Sequence, residues 1–289
     1  MKTRTFTTTA LVATSVLLSS YLVAALYGKQ RWATGTKKMR DELEDGRIAI
    51  DPKVFRVQEL DGLPAPVKQY FQTVLQDGQP IITAASIQHA GRIDMGELVP
   101  NWKPFTSKQR VITQRPGFDW DARVRMLPGI PVFIHDAYVA GHARLQASVL
   151  GLFDMADMND SADLKRGELM RFFAEAVWYP TALLPSQGVR WEAIDEHSAQ
   201  ATMTDGDVAL TMLFRFNAEG LIDTVRAESR GRAVGGAMMH APWQCRMSNY
   251  AVRDGIKVPL EGEVAWLLPD RIKTYFHGTI SSIAFEFAA

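Results

Sequence analysis

The polar side chains that could do chemistry are concentrated in two short segments, and the first lies near the middle of the chain. Its members are His135, Asp136, Tyr138 and His142. Because side chains alternate along a strand, Asp136, Tyr138 and His142 share one face if a single strand runs through residue 142. A carboxylate and an imidazole on one face are typical of acid–base catalysis or of a metal site. The simpler interpretation is a partly exposed polar face with a buried tyrosine.

The second segment lies on a predicted helix. Arg171 and Glu175 are four residues apart, which places them on one helical face, and Trp178 follows them. An exposed pair of this kind contributes only about 0.3–0.5 kcal/mol. The opposite face is apolar, so the pair becomes buried if a sheet covers the helix on both sides. We interpret the pair as a structural link between helix and sheet, with a ligand contact as the alternative.

No signature of a known catalytic or metal centre accompanies these residues. The sequence has no zinc-protease, serine-hydrolase, Walker or dinucleotide-binding motif. Residues 157–168 are spaced like a calcium loop, but Ala162 replaces the turn glycine and Lys165 adds a positive charge. The single cysteine, Cys245, excludes an internal disulfide and a multi-thiolate metal site. We therefore predict no metal and no cofactor, and we assign no catalytic residue.

The charge balance bears on the class of partner. Lys plus Arg and Asp plus Glu each number 32, so the formal net charge is zero. Nucleic-acid binding requires a clustered basic excess, because the phosphates must be neutralised. We therefore predict that nucleic acid is not a partner.

The N-terminal segment is uncharged over 22 residues, from Phe6 to Tyr27. About 20 apolar helical residues cross the hydrocarbon core of a bilayer. The segment predicts a single-pass anchor, with the membrane as a partner through residues 6–27, and a cleaved signal peptide is the alternative. Basic residues after Tyr27 favour a cytoplasmic domain, whereas a signal-anchor role for Lys2 and Arg4 favours an exported one. The side of the membrane stays open.

The rest of the chain is dominated by period-two alternation. Residues 118–126 alternate apolar and charged side chains, and ten or more similar runs follow one another with turn signals between them. Helical spacing appears only in residues 67–75 and 163–178. The predicted fold is mainly β (α+β), a curled antiparallel sheet or half-barrel with two packed helices, preceded by one N-terminal transmembrane helix. The predicted divisions are an anchor (1–28), a charged linker or helix (29–62) and a single β-rich domain (63–289).

Several longer motifs occur along the β-rich part of the chain. The longest is the run RFFAEAVWYPTALLP, residues 171–185, which is followed by Val-Arg-Trp at 189–191. Four further motifs are Leu63 to Phe71, Trp102 to Phe105, Pro116 to Trp120 and Asp136 to Gly141. Together these motifs resemble those of an uncharacterised bacterial membrane-anchored family, a domain of unknown function. The resemblance spans residues 63–288 and carries no known chemistry. More weakly, the predicted architecture is similar to the half-barrel of lipoprotein carriers.

These observations support three hypotheses. The leading one is a membrane-anchored domain that binds a lipid or another hydrophobic small molecule in a cavity of the sheet. The second is an enzyme whose acid–base site uses Asp136, His142, Arg171 and Glu175. The third is a scaffold of a membrane-associated complex. For the first hypothesis, the predicted ligand-binding residues are Arg171, Glu175, Trp178, Trp191, Tyr138, Asp136 and His142.

Overall fold

The structure is a computed structural model that describes residues 2–235 and 237–289, without the side chains of residues 2–13. Within these residues there are three α-helices, α1 (Lys2–Asp45), α2 (Ala65–Val74) and α3 (Ala162–Glu175). Short 3-10 helices follow at Val57–Leu60, Ala176–Trp178, Pro180–Leu183 and Pro185–Gln187. The strands are β1 (Ile82–Asp94), β2 (Trp102–Ile112), β3 (Gly117–Leu127), β4 (Ile130–Val139), β5 (His142–Val149), β6 (Phe153–Asn159), β7 (Arg190–Asp195), β8 (Ser198–Asp205), β9 (Val208–Phe216), β10 (Ile222–Val234), β11 (Ala237–Arg253), β12 (Ile256–Leu267) and β13 (Ile272–Phe287).

All the described strands form one antiparallel sheet, in the order β6-β5-β4-β3-β2-β1-β13-β12-β11-β10-β9-β8-β7. The chain enters at the centre with β1 and moves outward to the edge strand β6. Helix α3 then carries it to the opposite edge, β7, and it returns inward until β13 pairs with β1. The prediction of a mainly β fold with an antiparallel sheet is confirmed. The sheet is not closed within the described residues, because β6 and β7 do not pair.

The two faces of the sheet differ in what covers them. Along β3, Phe118, Trp120 and Val124 enter the main hydrophobic core, which also contains residues of α2 and α3. We call this the concave face. The intervening Asp119 and Asp121 lie on the other, convex face, where the second half of α1 packs against β2, β3 and β4. The alternation predicted a polar face for β3, and the structure shows that α1 covers it.

Helix α3 lies across the concave face and contacts strands from both halves of the sheet. Its start is fixed by Ser161, whose Oγ accepts a hydrogen bond from the Leu164 amide at 3.2 Å. Phe172 and Phe173 are buried, as the apolar spacing predicted. Glu168 and Glu175 are buried as well, so the helix is enclosed on its polar side too. A helix enclosed on both sides must pair its charges internally.

Helix α1 is continuous from Lys2 to Asp45. From Gly28 onward it fits closely against the sheet, since a Cβ atom at Gly28 would lie 2.1 Å from the Leu150 carbonyl oxygen. Among the described residues, no helix is both long enough and apolar enough to cross a membrane. The predicted anchor at 6–27 falls partly on residues 6–13, whose side chains lie outside the described part of the chain.

Candidate functional site

A cavity of about 100 Å³ lies between α3 and the concave face. Most of its wall is apolar and aromatic, with strands from both halves of the sheet on one side and α3 on the other. Its charged members are Asp136, Arg171, Glu175, Arg230 and Glu263. Its larger apolar members are Trp120, Trp178, Trp243, Met247, Tyr275 and Phe276.

Arg171 is the centre of the charged cluster. Its Nη1 donates to Asp136 Oδ2 at 2.5 Å, and its Nε donates to Glu175 Oε1 at 2.7 Å. The other oxygen of Glu175 accepts from Gln109 Nε2 at 2.6 Å. All three charged side chains are at most 15 % exposed. Buried ion pairs of this kind hold position only when further hydrogen bonds satisfy their remaining atoms, as Gln109 does here.

Glu168, one turn before Arg171, adds a second carboxyl group to the cluster. Burial, together with the neighbouring Asp136 carboxylate, raises the pKa of Glu168 well above its ordinary value. Asp136 Oδ1 and Glu168 Oε2 are both buried, and neither has a hydrogen-bond partner elsewhere in the described structure. The two carboxyl groups are close enough to share a hydrogen bond with each other. The raised pKa favours the protonated form of Glu168, whose carboxyl group can donate a hydrogen bond to the Asp136 carboxylate.

Both guanidinium groups of the cavity lie over aromatic rings. The Arg171 guanidinium carbon is 5.0 Å from the Phe118 ring centre and 4.9 Å from that of Trp120. The Arg230 guanidinium carbon lies 4.4 Å from the Trp243 ring centre. Cation–π contacts of this kind strengthen when the charge is desolvated. The cavity is therefore lined by two positioned cations on an aromatic wall.

Two indole groups of the wall carry unused hydrogen-bond donors. The Nε1 atoms of Trp120 and Trp178 are buried and have no partner in the described structure. By contrast, the Nε1 of Trp243 donates to the hydroxyl of Tyr275 at 2.9 Å. Buried tryptophan N–H groups usually find a partner, so these two donors remain available to an acceptor atom that reaches them.

The nearby imidazole and thiol are not placed for acid–base or nucleophilic chemistry. Burial, followed by the charge of Arg171, lowers the pKa of His89 to about 3, so its ring is neutral. The His89 ring centre lies 5.1 Å from that of Trp178. Cys245 is in the cavity wall, where burial raises the pKa of its thiol. A buried thiol with a raised pKa is a poor nucleophile.

The structure brings four of the seven predicted ligand-binding residues to the cavity and leaves three elsewhere. Asp136, Arg171, Glu175 and Trp178 line it. The remaining three are Tyr138, Trp191 and His142.

Tyr138 is buried two residues beyond Asp136, and its hydroxyl donates to Asp205 Oδ2 at 2.7 Å. Trp191 packs on Phe214, with ring centres 5.0 Å apart, in the core beside the cavity. His142 is exposed and pairs with Asp160 at 2.8 Å. These residues connect or fill parts of the fold outside the cavity lining.

The expectation that His142 shares a face with Asp136 is wrong. Strand β4 ends at Val139, and Ala140 and Gly141 take positive φ values of 51° and 84°. The chain therefore turns, and His142 begins β5 opposite Val139. The alternation that places Asp136 and Tyr138 on one face stops at this turn.

Two charged residues of the cluster were missed in the sequence, Glu168 and Arg230. Glu168 precedes Arg171 by three residues, so helical spacing places the two on neighbouring positions of one face. That spacing was a usable signal. Arg230 reaches the cluster from β10, with its Nη2 3.5 Å from Glu168 Oε1, and no local pattern indicates that contact. Among the described residues, no group of three or more His, Cys, Asp or Glu side chains is arranged to hold a metal ion.

Comparison with known proteins identifies the family of the chain but assigns no function. No curated protein matches the sequence. A LolA superfamily protein from Nitrosomonas europaea superposes with a TM-score of 0.34 at 11% identity, over 77% of this chain and 92% of that one. A β-barrel-like protein of the family DUF1849 from Brucella abortus gives a TM-score of 0.24 at 9% identity, over 71% and 99%. The profile of DUF6920, described as a family of unknown function, matches residues 61–285, and the chain belongs to that family.

Proposed function

We propose that the domain is a binding protein that takes the polar end of an amphipathic molecule, or a small apolar ligand with acceptor atoms, into the cavity under α3. The observation that carries this proposal is one cavity whose lining combines an aromatic wall, the cations Arg171 and Arg230, and two tryptophans, Trp120 and Trp178, whose buried N–H groups have no partner in the described structure. Ligand sites are typically apolar clefts with a few convergent polar groups.

The donors in the wall define the polar part of the ligand. Indole and guanidinium groups donate hydrogen bonds and cannot accept them. A carboxylate, phosphate or ester oxygen fits these donors, and the lining carboxylates Asp136 and Glu175 are already paired with Arg171. The rings of Trp178, Trp243 and Phe276 supply the apolar contact for the atoms next to that oxygen.

The volume limits how much of a ligand the cavity holds. An engineered cavity of about 150 Å³ holds one benzene molecule. At about 100 Å³, this cavity holds a group of a few heavy atoms. A complete two-chain lipid would require α3 and the sheet to move apart, so we propose that only one end of a larger molecule enters.

The alternative of an acid–base enzyme is supported less well by the geometry. Both oxygens of Glu175 accept hydrogen bonds from protein donors. Asp136 is held by Arg171 and by Glu168, and the proposed base His142 lies on the exterior. A general base must reach its substrate with a free acceptor atom. The carboxylates of this cluster are used to hold Arg171.

We also propose that residues 6–27 attach the domain to a membrane. The described part of this segment exposes large apolar side chains, among them Leu17 at 71 %, Val23 at 67 % and Leu26 at 67 %. Apolar helix surface of this kind is buried in lipid or against a partner. Flotation of the full chain with phospholipid vesicles tests the attachment, and a reporter at the C-terminus tests the side.

Native mass spectrometry of the full chain in mild detergent tests ligand binding. Gly262 lines the cavity, and a Cβ atom there would lie 3.5 Å from Trp178 Cζ2. We therefore expect Gly262→Leu to fill the cavity and to remove a copurified ligand that wild type carries.

The matched control is Gly35→Leu, because Gly35 is an exposed glycine with no atom near its Cβ position. This variant should keep the ligand. Equal ligand occupancy in Gly262→Leu and wild type, or a wild type that is reproducibly empty after lipid extraction, would refute the proposal. Far-ultraviolet circular dichroism verifies that both variants are folded.

A further inference from the structure

Exposed apolar side chains occur on two neighbouring hairpins at one end of the sheet. Strand β3 ends at Leu127, which is 62 % exposed, and the β3–β4 turn leads to Ile130. The β5–β6 turn leads to Phe153 and Met155, which are 68 % and 60 % exposed. Because β3, β4, β5 and β6 are consecutive antiparallel strands, these two turns lie at the same end.

Helix α1 passes directly beside both hairpins. The hydroxyl of Tyr21 donates to the carbonyl of Gly129 in the β3–β4 turn. Arg31 Nη1 donates to the carbonyls of Gly151 and Leu152 in the β5–β6 turn, at 3.3 and 3.2 Å. The β3–β4 turn therefore lies beside the last third of the uncharged segment, and the β5–β6 turn lies beside Gly28 and Arg31, just after that segment.

We propose that the β3–β4 and β5–β6 hairpins form a second membrane contact, with Leu127, Ile130 and Phe153 in the interfacial region of the bilayer beside α1. The proposal rests on membrane attachment through residues 6–27. The occupant follows from continuity, since the segment whose chemistry suits lipid contacts the β3–β4 turn directly and continues into the helical residues that contact the β5–β6 turn.

The helix sets the depth of this contact. Tyr21 and Gly28 are seven residues apart, which is about 10 Å along a helix. Surface-bound elements bury their apolar side chains about 5–10 Å into the headgroup and acyl boundary. If the hydrocarbon core ends near Tyr27, Gly129 and its neighbours lie inside that boundary.

Fluorescence quenching in vesicles tests the contact. The full chain is reconstituted into phosphatidylcholine vesicles with or without brominated acyl chains, and a dye is attached at Leu127→Cys or at Phe153→Cys. The native Cys245 is buried and stays unlabelled. We expect brominated lipid to reduce the fluorescence of both probes at least about twofold, because side chains at interfacial depth contact the acyl chains.

The matched control is Val252→Cys. Val252 is apolar and 60 % exposed, and it lies in the β11–β12 hairpin at the opposite end of the sheet. Its probe should not be quenched. If the protein floats with the vesicles while the probes at 127 and 153 resemble the probe at 252, the hairpin contact is wrong and the attachment stands. If the protein does not float with the vesicles, both the membrane attachment and the hairpin contact are wrong. If the probes are shielded from aqueous iodide but not quenched by brominated lipid, the hairpins contact a protein partner in place of the bilayer.

Discussion

On the concave face Arg171 of α3 binds Asp136 of β4, and on the convex face Arg40 of α1 binds Asp119 of the neighbouring strand β3. Both contacts join a helix to the sheet through an arginine and a buried or nearly buried aspartate. Each has a histidine close by, His89 on one face and His135 on the other. The two helices are therefore fixed to the sheet by similar contacts.

The surroundings of the two contacts differ. On the convex face, Trp32 donates to Asp121 at 2.9 Å and Thr36 Oγ1 lies 2.7 Å from His135 Nε2, so the helix uses polar side chains to bind the sheet. One of the gaps between α1 and the sheet is about 160 Å³ and is lined mainly by polar residues, among them Arg31, Arg144 and Asp154. The concave cavity is smaller but mostly apolar, and the indole donors of Trp120 and Trp178 are unpaired in the described structure. Polarity, rather than volume, therefore distinguishes the face that suits a ligand from the face that holds α1.

The largest effect is expected from a substitution that breaks the contact of Arg171 with Asp136 and Glu175 on the concave face. Arg171→Met leaves Asp136 and Glu175 as buried carboxylates without their cation. Removal of one partner from a buried ion pair costs about 3–5 kcal/mol. We expect the free energy of unfolding to fall by that amount in urea titrations. In contrast, Lys37→Met breaks only the exposed pair with Asp41 and should cost less than about 1 kcal/mol, so similar losses for the two variants would contradict the cluster's importance.

The second prediction concerns pH and the convex face. Burial raises the pKa of Asp119 to about 6, against the partial compensation of Arg40. The pKa of Asp119 is higher in the folded state than in the unfolded state. Between about pH 4 and 6 the native state therefore binds a proton that the unfolded state has lost. Asp119 therefore destabilises the fold as the pH rises through this window.

Asp119→Asn removes that titration. Relative to wild type, its free energy of unfolding should increase by roughly 1.4 kcal/mol for each pH unit between pH 4 and 6. Urea titrations at several pH values measure this. A difference that does not change with pH would show that Asp119 does not titrate in the window. Burial also lowers the pKa of His135 to about 4, so His135 makes the free energy of unfolding rise with pH in the same window, in wild type and variant alike. The two proteins must therefore be compared at each pH in the same buffer.

The third prediction concerns the contact between Arg40 and Asp119 on the convex face. Arg40→Met removes the cation from Asp119, which then takes up a proton near neutral pH. We expect a loss of about 2 kcal/mol at pH 7, smaller than for Arg171→Met, because the Arg40 side chain is 31 % exposed and one carboxylate loses its partner instead of two. Chemical unfolding monitored by tryptophan fluorescence gives the comparison. A larger loss at Arg40 than at Arg171 would reverse the ranking of the two faces.

The smallest expected effect concerns the contact between the two halves of the sheet. The hydroxyl of Tyr138 in β4 donates to Asp205 at the end of β8. Tyr138→Phe removes one hydrogen bond and keeps the ring, so we expect a loss of about 1 kcal/mol in thermal or urea unfolding. Thr202→Val, which breaks an exposed hydroxyl contact with Thr211, should cost less. A loss as large as that of Arg171→Met would mean that this single bond holds the halves together.

Much of the fold was predictable because alternation and helical spacing are local signals. The alternating run at residues 118–126 and the helical spacing at 67–75 and 163–178 correspond to β3, α2 and α3. Strand β6 was missed because residues 153–159 show no regular alternation of apolar and polar side chains. The covering of β3 by α1 was missed for a different reason. Trp32, Met39 and Leu43 are the buried large apolar side chains of a segment that is otherwise mostly polar or charged, and its composition indicated a charged helix or linker.

The candidate site was predictable only in part, because some of its contacts join residues that are far apart in the sequence. Arg171 and Glu175 are neighbours on one helical face, so their pairing follows from spacing. The contacts of Arg171 with Asp136 and of Arg230 with Glu168 join residues 35 and 62 positions apart. Nothing local fixes such pairs, because they depend on where the whole sheet places its strands. Burial of Glu168 could not be anticipated from its own type, since glutamate is rarely buried without a partner.

The central position of β13 has a consequence for the order of events during synthesis. This strand joins β1 to β12, so the two halves of the sheet share no strand pairing until residues 272–287 are available. Contacts so distant along the chain are slow to form because a long loop must close first. While the ribosome still holds β13, β1 and β12 each present an unpaired edge, which is a hazard for aggregation. The last strand of the fold therefore acts as the step that commits the nascent chain to one sheet.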